Sequence, residues 1–87
     1  MNYEVSISNK ASRSLLSLPK REQLRAKRRI DALSEDPRPL GSIKLTGHQN
    51  LFRFRSGNYR IIYSIDDDVL IVLVIHVAHR RESYREF

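Results

Sequence analysis

Apolar and polar residues alternate through Tyr3-Glu4-Val5-Ser6-Ile7, a period of two that predicts a half-buried strand. The period then lengthens. Ala11, Leu15 and Leu18 recur at helical spacing behind Ser8 and Asn9, either of which suits a cap. Pro19 stops this short helix and opens the next. Over 19–34 an apolar stripe of Ala26, Ile30 and Leu33 predicts an amphipathic helix, with Arg21, Arg25 and Arg28 on nearly the opposite side. Leu24 falls off the stripe, beside the basic face, where it suits a partner-binding surface or is simply an exposed leucine. Two prolines and a glycine in Glu35-Asp36-Pro37-Arg38-Pro39-Leu40-Gly41 end the helix. The segment up to Gly47 reads as an ordered loop that Lys44-Leu45 packs back on a sheet.

From 51 to 84 the composition is that of strands. Leu51-Phe52-Arg53-Phe54-Arg55 turns at Ser56-Gly57-Asn58 and returns as Tyr59-Arg60-Ile61-Ile62-Tyr63-Ser64-Ile65. A second turn at Asp66-Asp67-Asp68 leads into an apolar run over 69–77. β-Branched and aromatic residues bounded by Gly, Asn or Asp predict an antiparallel meander. The expected fold class is therefore α+β, in one domain over 1–87. Its order is an N-terminal strand, a two-helix hairpin and a three-stranded antiparallel meander, forming a small α/β sandwich. Because the run 69–77 is apolar on both faces, it is expected to be central and covered on both sides.

A two-residue loop at Gly57-Asn58 fixes the register of the first hairpin. Ser56 then opposes Tyr59, Arg55 opposes Arg60, Phe54 opposes Ile61 and Arg53 opposes Ile62. Phe52, Phe54, Ile61 and Tyr63 share a core face, and Arg53, Arg55 and Arg60 share the other. Two arginines directly opposite one another repel, so the pairing suggests an anion bound between them. A three-residue acidic turn would put Val72, Val74 and His76 on the Arg60 face. The three aspartates read as a solvated turn rather than a metal site, because consecutive turn residues diverge. Residues 80–87 read as a helical turn or a loose tail.

Composition narrows the chemistry. The 87 residues carry 16 Lys and Arg against 10 Asp and Glu, a formal charge of +6. Six of the ten residues from 20 to 29 are basic. Such an excess favours a polyanionic partner. The absence of cysteine excludes a disulfide framework and thiolate metal ligation. It fits a reducing cytoplasm, as does an alternating N-terminus that does not read as a signal peptide. The longest apolar run is too short to span a bilayer, so no membrane role is expected.

No serine–histidine–aspartate order, zinc spacing or phosphate-cradling glycine loop is legible. What remains is Arg53, Arg55, Arg60, His79, Arg80, Tyr84 and Lys44. These groups suit a phosphodiester: guanidinium forks grip phosphate oxygens and stabilise added negative charge. A tyrosine stacks on a base or donates a proton. RNA brings its own nucleophile, the 2′-OH, so neither a metal nor a cofactor is required.

At these residues the chain resembles a known family. Gly57-Asn58-Tyr59-Arg60-Ile61-Ile62-Tyr63, the acidic turn, the apolar strand and Val77-Ala78-His79-Arg80-Arg81-Glu82-Ser83-Tyr84 are similar to the RelE branch of the RelE/ParE toxins. Lys44-Leu45-Thr46-Gly47 resembles that family's loop before the basic strand. The resemblance implies the toxin of a type II toxin–antitoxin pair. Such a toxin enters the A site of the 70S ribosome and cleaves mRNA by 2′-OH attack, leaving a 2′,3′-cyclic phosphate and a 5′-OH. A cognate RelB-like antitoxin neutralises it.

Carried over one at a time, Arg60 matches the family's strand arginine, Arg80 the arginine ending the last strand, and Tyr84 the C-terminal tyrosine. Arg53 and Arg55 stand where studied RelE toxins have lysines. An arginine stays charged and cannot accept the 2′-OH proton. His79, an imidazole that changes charge near neutrality, is then the expected proton-transfer group, while His76 is expected to be structural. The catalytic set so read is Arg55, Arg60, His79, Arg80 and Tyr84. Arg25, Arg28, Lys44, Arg53 and Arg81 are the RNA contacts, and no metal is implied. A ParE-like DNA gyrase inhibitor and an inactive RNA-binding homologue are the alternatives.

Overall fold

Strand β1 (Glu4–Ile7) ends at Ser8. In the computed structural model, which describes residues 2–81, that serine is extended and its Oγ accepts from the Ala11 amide at 3.1 Å. One orphan amide of helix α1 (Asn9–Leu16) is thereby satisfied, a cap worth about 1 kcal/mol. Pro19 occupies the cap position of α2 (Lys20–Ala32). Gln23 seals the corner between the helices, its Nε2 donating to the Leu16 carbonyl at 2.9 Å and the Leu18 carbonyl at 3.0 Å. Carbonyls that α1 leaves open at its end thus find a donor. No helix among the described residues is long and apolar enough to cross a membrane.

The meander is present as β3 (Leu51–Ser56), β4 (Tyr59–Asp66) and β5 (Ile71–His79). It is widened at both edges. β1 adds in parallel to β5, and the two-residue strand β2 (Ile43–Lys44) adds antiparallel to β3. The order across the sheet is β1-β5-β4-β3-β2. The segment expected to be a packed-back loop is therefore a short edge strand, a form that resists further pairing.

Both helices lie on one face. Ala11, Leu15, Ala26, Ile30 and Leu33 meet Phe54, Ile61, Tyr63, Ile65, Val72, Val74 and Val77 of the sheet. Tyr63 is fully buried between Phe52 and Phe54, with ring centroids 6.0 Å and 5.7 Å away. Its hydroxyl donates to the Pro37 carbonyl at 2.8 Å, and burial pushes the phenol above its ordinary pKa. That bond satisfies the one polar atom of a large apolar side chain.

The second turn differs from expectation. Asp66 pairs with Ile71, so the loop is 67–70, four residues rather than three. One added residue sends each following side chain to the other face. Val72 and Val74 therefore oppose Ile65 and Tyr63 on the helix side, not the Arg60 side. A bulge at Ile62/Tyr63 then intervenes, with Val74 opposite Tyr63 and His76 opposite Ile62. The extra residue, Ile75, reverses the phase. His76 and Ala78 thereby return to the Arg60 face. β5 is interior to the sheet, but its cover is uneven: Val72, Val74 and Val77 are buried under the helices, while Leu73 and Ile75 are half-buried and Ile71 is exposed. The tail beyond Arg81, with Tyr84, lies outside the described residues.

Candidate nucleic-acid interface

The tip of the β3–β4 hairpin sets the candidate site. Of its two central residues only Gly57 has a positive φ, 61°. That is the type II′ arrangement, whose twist suits a two-residue hairpin. The register follows: Ser56 opposes Tyr59, Arg55 opposes Arg60, Phe54 opposes Ile61 and Arg53 opposes Ile62. With Phe54 and Ile61 in the core, Arg53, Arg55 and Arg60 face away from the helices. Ile62 and Ala78, both buried, give this face an apolar floor. Like charges set opposite each other weaken a sheet, by about 1 kcal/mol at 4 Å in water. An anion seated between them reverses the sign.

Helix α2 extends the basic surface round the sheet edge. β2 covers β3 only at Phe52 and Arg53. Beyond it, Arg29 donates to the Arg55 carbonyl, and its guanidinium lies 4.5 Å from the centre of the Phe54 ring. A groove of about 360 Å³ runs between Arg29, Leu40, Ile43, Arg53 and Arg55. A second, of about 370 Å³, runs along α2 between Arg21, Leu24, Arg25, Arg28 and Arg29. Arg29 belongs to both. Leu24 is 52% exposed in the second, as its place off the stripe predicts. Arg25 approaches the hairpin tip as well: a Cβ on Gly57 would come within 3.1 Å of Arg25 Nη1 and 2.8 Å of Glu22 Oε2.

Other expected site residues stand elsewhere. Arg80 is exposed at the end of β5, its amide donating to the Asn58 carbonyl at 2.7 Å, so it sits beside the hairpin tip. Arg81 is exposed, and its amide donates to His79 Nδ1 at 3.2 Å. His79 does not join Arg53 and Arg60. It opposes Tyr59, and the two rings meet edge to face at 5.4 Å on the helix side. The cause is strand alternation, because Val77 in the core puts His79 on the same side. Lys44 is displaced for the same reason. It opposes Phe52, a core residue, so Ile43 rather than Lys44 shares the Arg53 face.

Arg29 was legible only as one more charge of the basic helix. Its place beside Ile30, one position off the apolar stripe, was the available signal that it reaches the sheet. Among the described residues no group of three or more potential metal-binding side chains is gathered. The acidic turn is engaged internally. Asp67 takes Arg38 Nη2 at 2.8 Å and the Tyr3 hydroxyl at 2.6 Å, and Asp66 Oδ1 accepts from the Asp68 amide at 3.1 Å. The hydrogen bond from Arg38 holds the Asp67 carboxyl below its ordinary pKa, and the bond to Asp67 holds the Tyr3 phenol above its own.

The fold is shared with known proteins. The model of a family described as the ParE toxin of the type II toxin–antitoxin system parDE matches residues 5–84. Toxin RelE of Mycobacterium tuberculosis is 34% identical over 84 residues, covering 95% of this chain and 87% of the relative. The archaeal RelE–RelB complex from Pyrococcus horikoshii contains a chain that superposes with a TM-score of 0.83 at 32% identity, over 95% of this chain and all of that one. The RelBE2 toxin–antitoxin complex of M. tuberculosis gives 0.80 at 30% identity, over 92% of this chain and all of that one.

Proposed function

Because this chain belongs to the RelE/ParE family of type II toxin–antitoxin toxins, we propose that it is a ribosome-dependent endoribonuclease that cleaves mRNA in the A site. The observation that carries the reading is Arg55 directly opposite Arg60, with Arg53 beside them, on the sheet face away from the helices. A phosphodiester between these guanidiniums turns a repulsive pair into a clamp. As the 2′-OH attacks the adjacent phosphorus, charge builds on the equatorial oxygens, where fixed cationic donors are worth most. The 5′-oxygen leaves, giving a 2′,3′-cyclic phosphate and a 5′-OH. None of the arginines accepts the 2′-OH proton. His79, with its ring on the helix side and its Nδ1 already accepting from Arg81, is unsuited to that role. On the strength of the family resemblance, Tyr84 donates the proton to the leaving 5′-oxygen, and the 2′-OH proton passes to solvent.

A site without an internal base depends on its substrate being held in line, a positioning effect worth several kcal/mol. Ribosomal RNA supplies that hold through the salt-sensitive grip of Arg25, Arg28 and Arg29. The same basic track suits a cognate RelB-like antitoxin that covers it with an acidic or amphipathic segment. Relatives solved as RelE–RelB complexes support that partner.

The matching family is described as a ParE toxin, and the resemblance to the ParE branch implies a second reading, inhibition of DNA gyrase without cutting. A translation reaction and a gyrase supercoiling reaction with the same protein separate the two. The ribonuclease reading expects new 5′-OH ends within the A-site codon, in EDTA conditions that keep ribosomes intact, and unimpaired supercoiling. A message with 2′-deoxyribose at the cut position should bind and resist. Lost supercoiling with intact messages would overturn the reading.

A further inference from the structure

β1 pairs with β5 only as far as Ile7 opposite Val74. The chain then leaves the sheet at Ser8, whose Oγ donates to the Ile75 carbonyl at 3.4 Å, and enters α1. From His76 onward β5 has α1 beside it in place of a strand. There a groove of about 540 Å³ opens between Lys10 and Ser14 of α1, Tyr59 of β4, and His76, Val77 and His79 of β5. It is separate from the two arginine grooves.

Its lining combines an aromatic ring, polar groups and a cation. Tyr59 gives a half-buried aromatic surface braced edge-on by His79. The His79 ring is oriented in turn by the Arg81 amide, which can only donate and so makes Nδ1 the acceptor. Lys10 adds a cation, Ser14 a hydroxyl and Val77 an apolar wall. The volume falls within the roughly 300–1,000 Å³ of small-molecule sites. The arginine face and this groove meet at the end of the sheet, where Arg80 is tied to the hairpin loop through Asn58.

We propose that this groove takes one nucleotide of the RNA strand that the arginine face holds. The base lies against Tyr59, and the phosphate sits at the rim beside Lys10 and His79. The inference rests on the ribonuclease reading above. It makes His79 a binding residue of the second groove rather than the base of the first. The strand wraps the end of the sheet past Arg80, so the protein contacts RNA on both sides of its β3–β4 hairpin.

The test uses the full chain on ribosomes programmed with an uncleavable 2′-O-methyl codon carrying 4-thiouridine at successive positions. At one position, irradiation should crosslink the thio-base to the peptide containing Tyr59. Tyr59→Leu should weaken binding about ten- to hundredfold while Tyr59→Phe binds normally, because stacking needs the ring and not the hydroxyl. Lys10→Glu, which reverses a charge at an exposed position, should lower the salt slope of binding by about one. Crosslinks confined to the arginine face, with Lys10→Glu binding like wild type, would overturn the groove and leave the ribonuclease reading standing. A wild-type protein that neither binds nor cuts programmed message would overturn both.

Discussion

The two hairpins of the meander share strand β4 and handle charge in opposite ways. The β3–β4 hairpin sets Arg55 against Arg60. The β4–β5 hairpin turns through residues 67–70, and its Asp67 is held between Arg38 and Tyr3. One end of the sheet sets two like charges face to face. The other has its charge matched internally, and it fastens β1 and the segment after α2 to the turn. A pairing that costs stability is the better sign of a ligand site, and a satisfied pairing is the better sign of a structural clasp. The core beneath is common to both hairpins, so changes there should harm the whole molecule, while changes on the open face should harm only function.

Phe54→Ala sharpens that contrast with the largest expected effect. The ring is 1% exposed, touches Tyr63 and carries the Arg29 guanidinium. Its removal should lower unfolding stability by about 3–5 kcal/mol, measured by urea titration. Arg60→Ala, six residues on, should keep an unfolding midpoint close to wild type. Its ribosome-dependent cleavage should fall about 10²–10³-fold, and growth arrest should be relieved. Full toxicity in the folded Arg60→Ala protein would remove this arginine from the site.

The same two hairpins explain what was legible in the sequence. A Gly-Asn pair admits one register, so Arg55 opposite Arg60 followed from local turn chemistry alone. Asp66-Asp67-Asp68 carries no such constraint. Its loop took in Val69 and Leu70, and Ile75 bulged, because the helices demanded Val72, Val74 and Val77 on one side. Those are long-range packing choices that local pattern does not encode. The displaced site residues have the same origin: His79 and Lys44 are assigned to a face by strand alternation counted from buried neighbours. β2 escaped notice because two residues show no periodicity. Arg29 is the opposite case, a charge visible in the sequence whose partner, the Arg55 carbonyl, was not.

Gly57→Ala tests the first hairpin at its tip. Gly57 holds φ at 61°, where a side chain costs about 1–2 kcal/mol. The new Cβ would also lie 2.8 Å from Glu22 Oε2. That oxygen ends a flexible side chain and can swing away, so backbone strain should dominate. Stability should fall by about 1–2 kcal/mol in urea titration. Cleavage should fall too, because the turn keeps Arg55 and Arg60 in register. A stable variant with full activity would mean that the register tolerates another turn.

The smallest effect belongs to the second hairpin, and it depends on pH. Asp67 has its pKa lowered in the fold, chiefly by the hydrogen bond from Arg38. A depressed carboxyl contributes stability above its unfolded pKa, ordinarily about 3.9, and that contribution is lost as pH falls through the lower folded value. Tyr3 has its pKa raised, chiefly by the bond to Asp67. A raised phenol contributes fully below its unfolded value of about 10, and loses that contribution as pH rises through the higher folded one. Arg38 stays charged across the range. The clasp is thus complete between the two limits and weakens beyond each. The gap in urea midpoint between wild type and Asp67→Ala should accordingly be small and steady from about pH 5 to pH 9 and close below about pH 4. Surface pairs of this kind contribute little, so cleavage at neutral pH should be the same in both proteins. A gap that persists unchanged into acid would mean that Asp67 acts through its backbone turn rather than its charge, and loss of cleavage would tie the second hairpin to the function of the first.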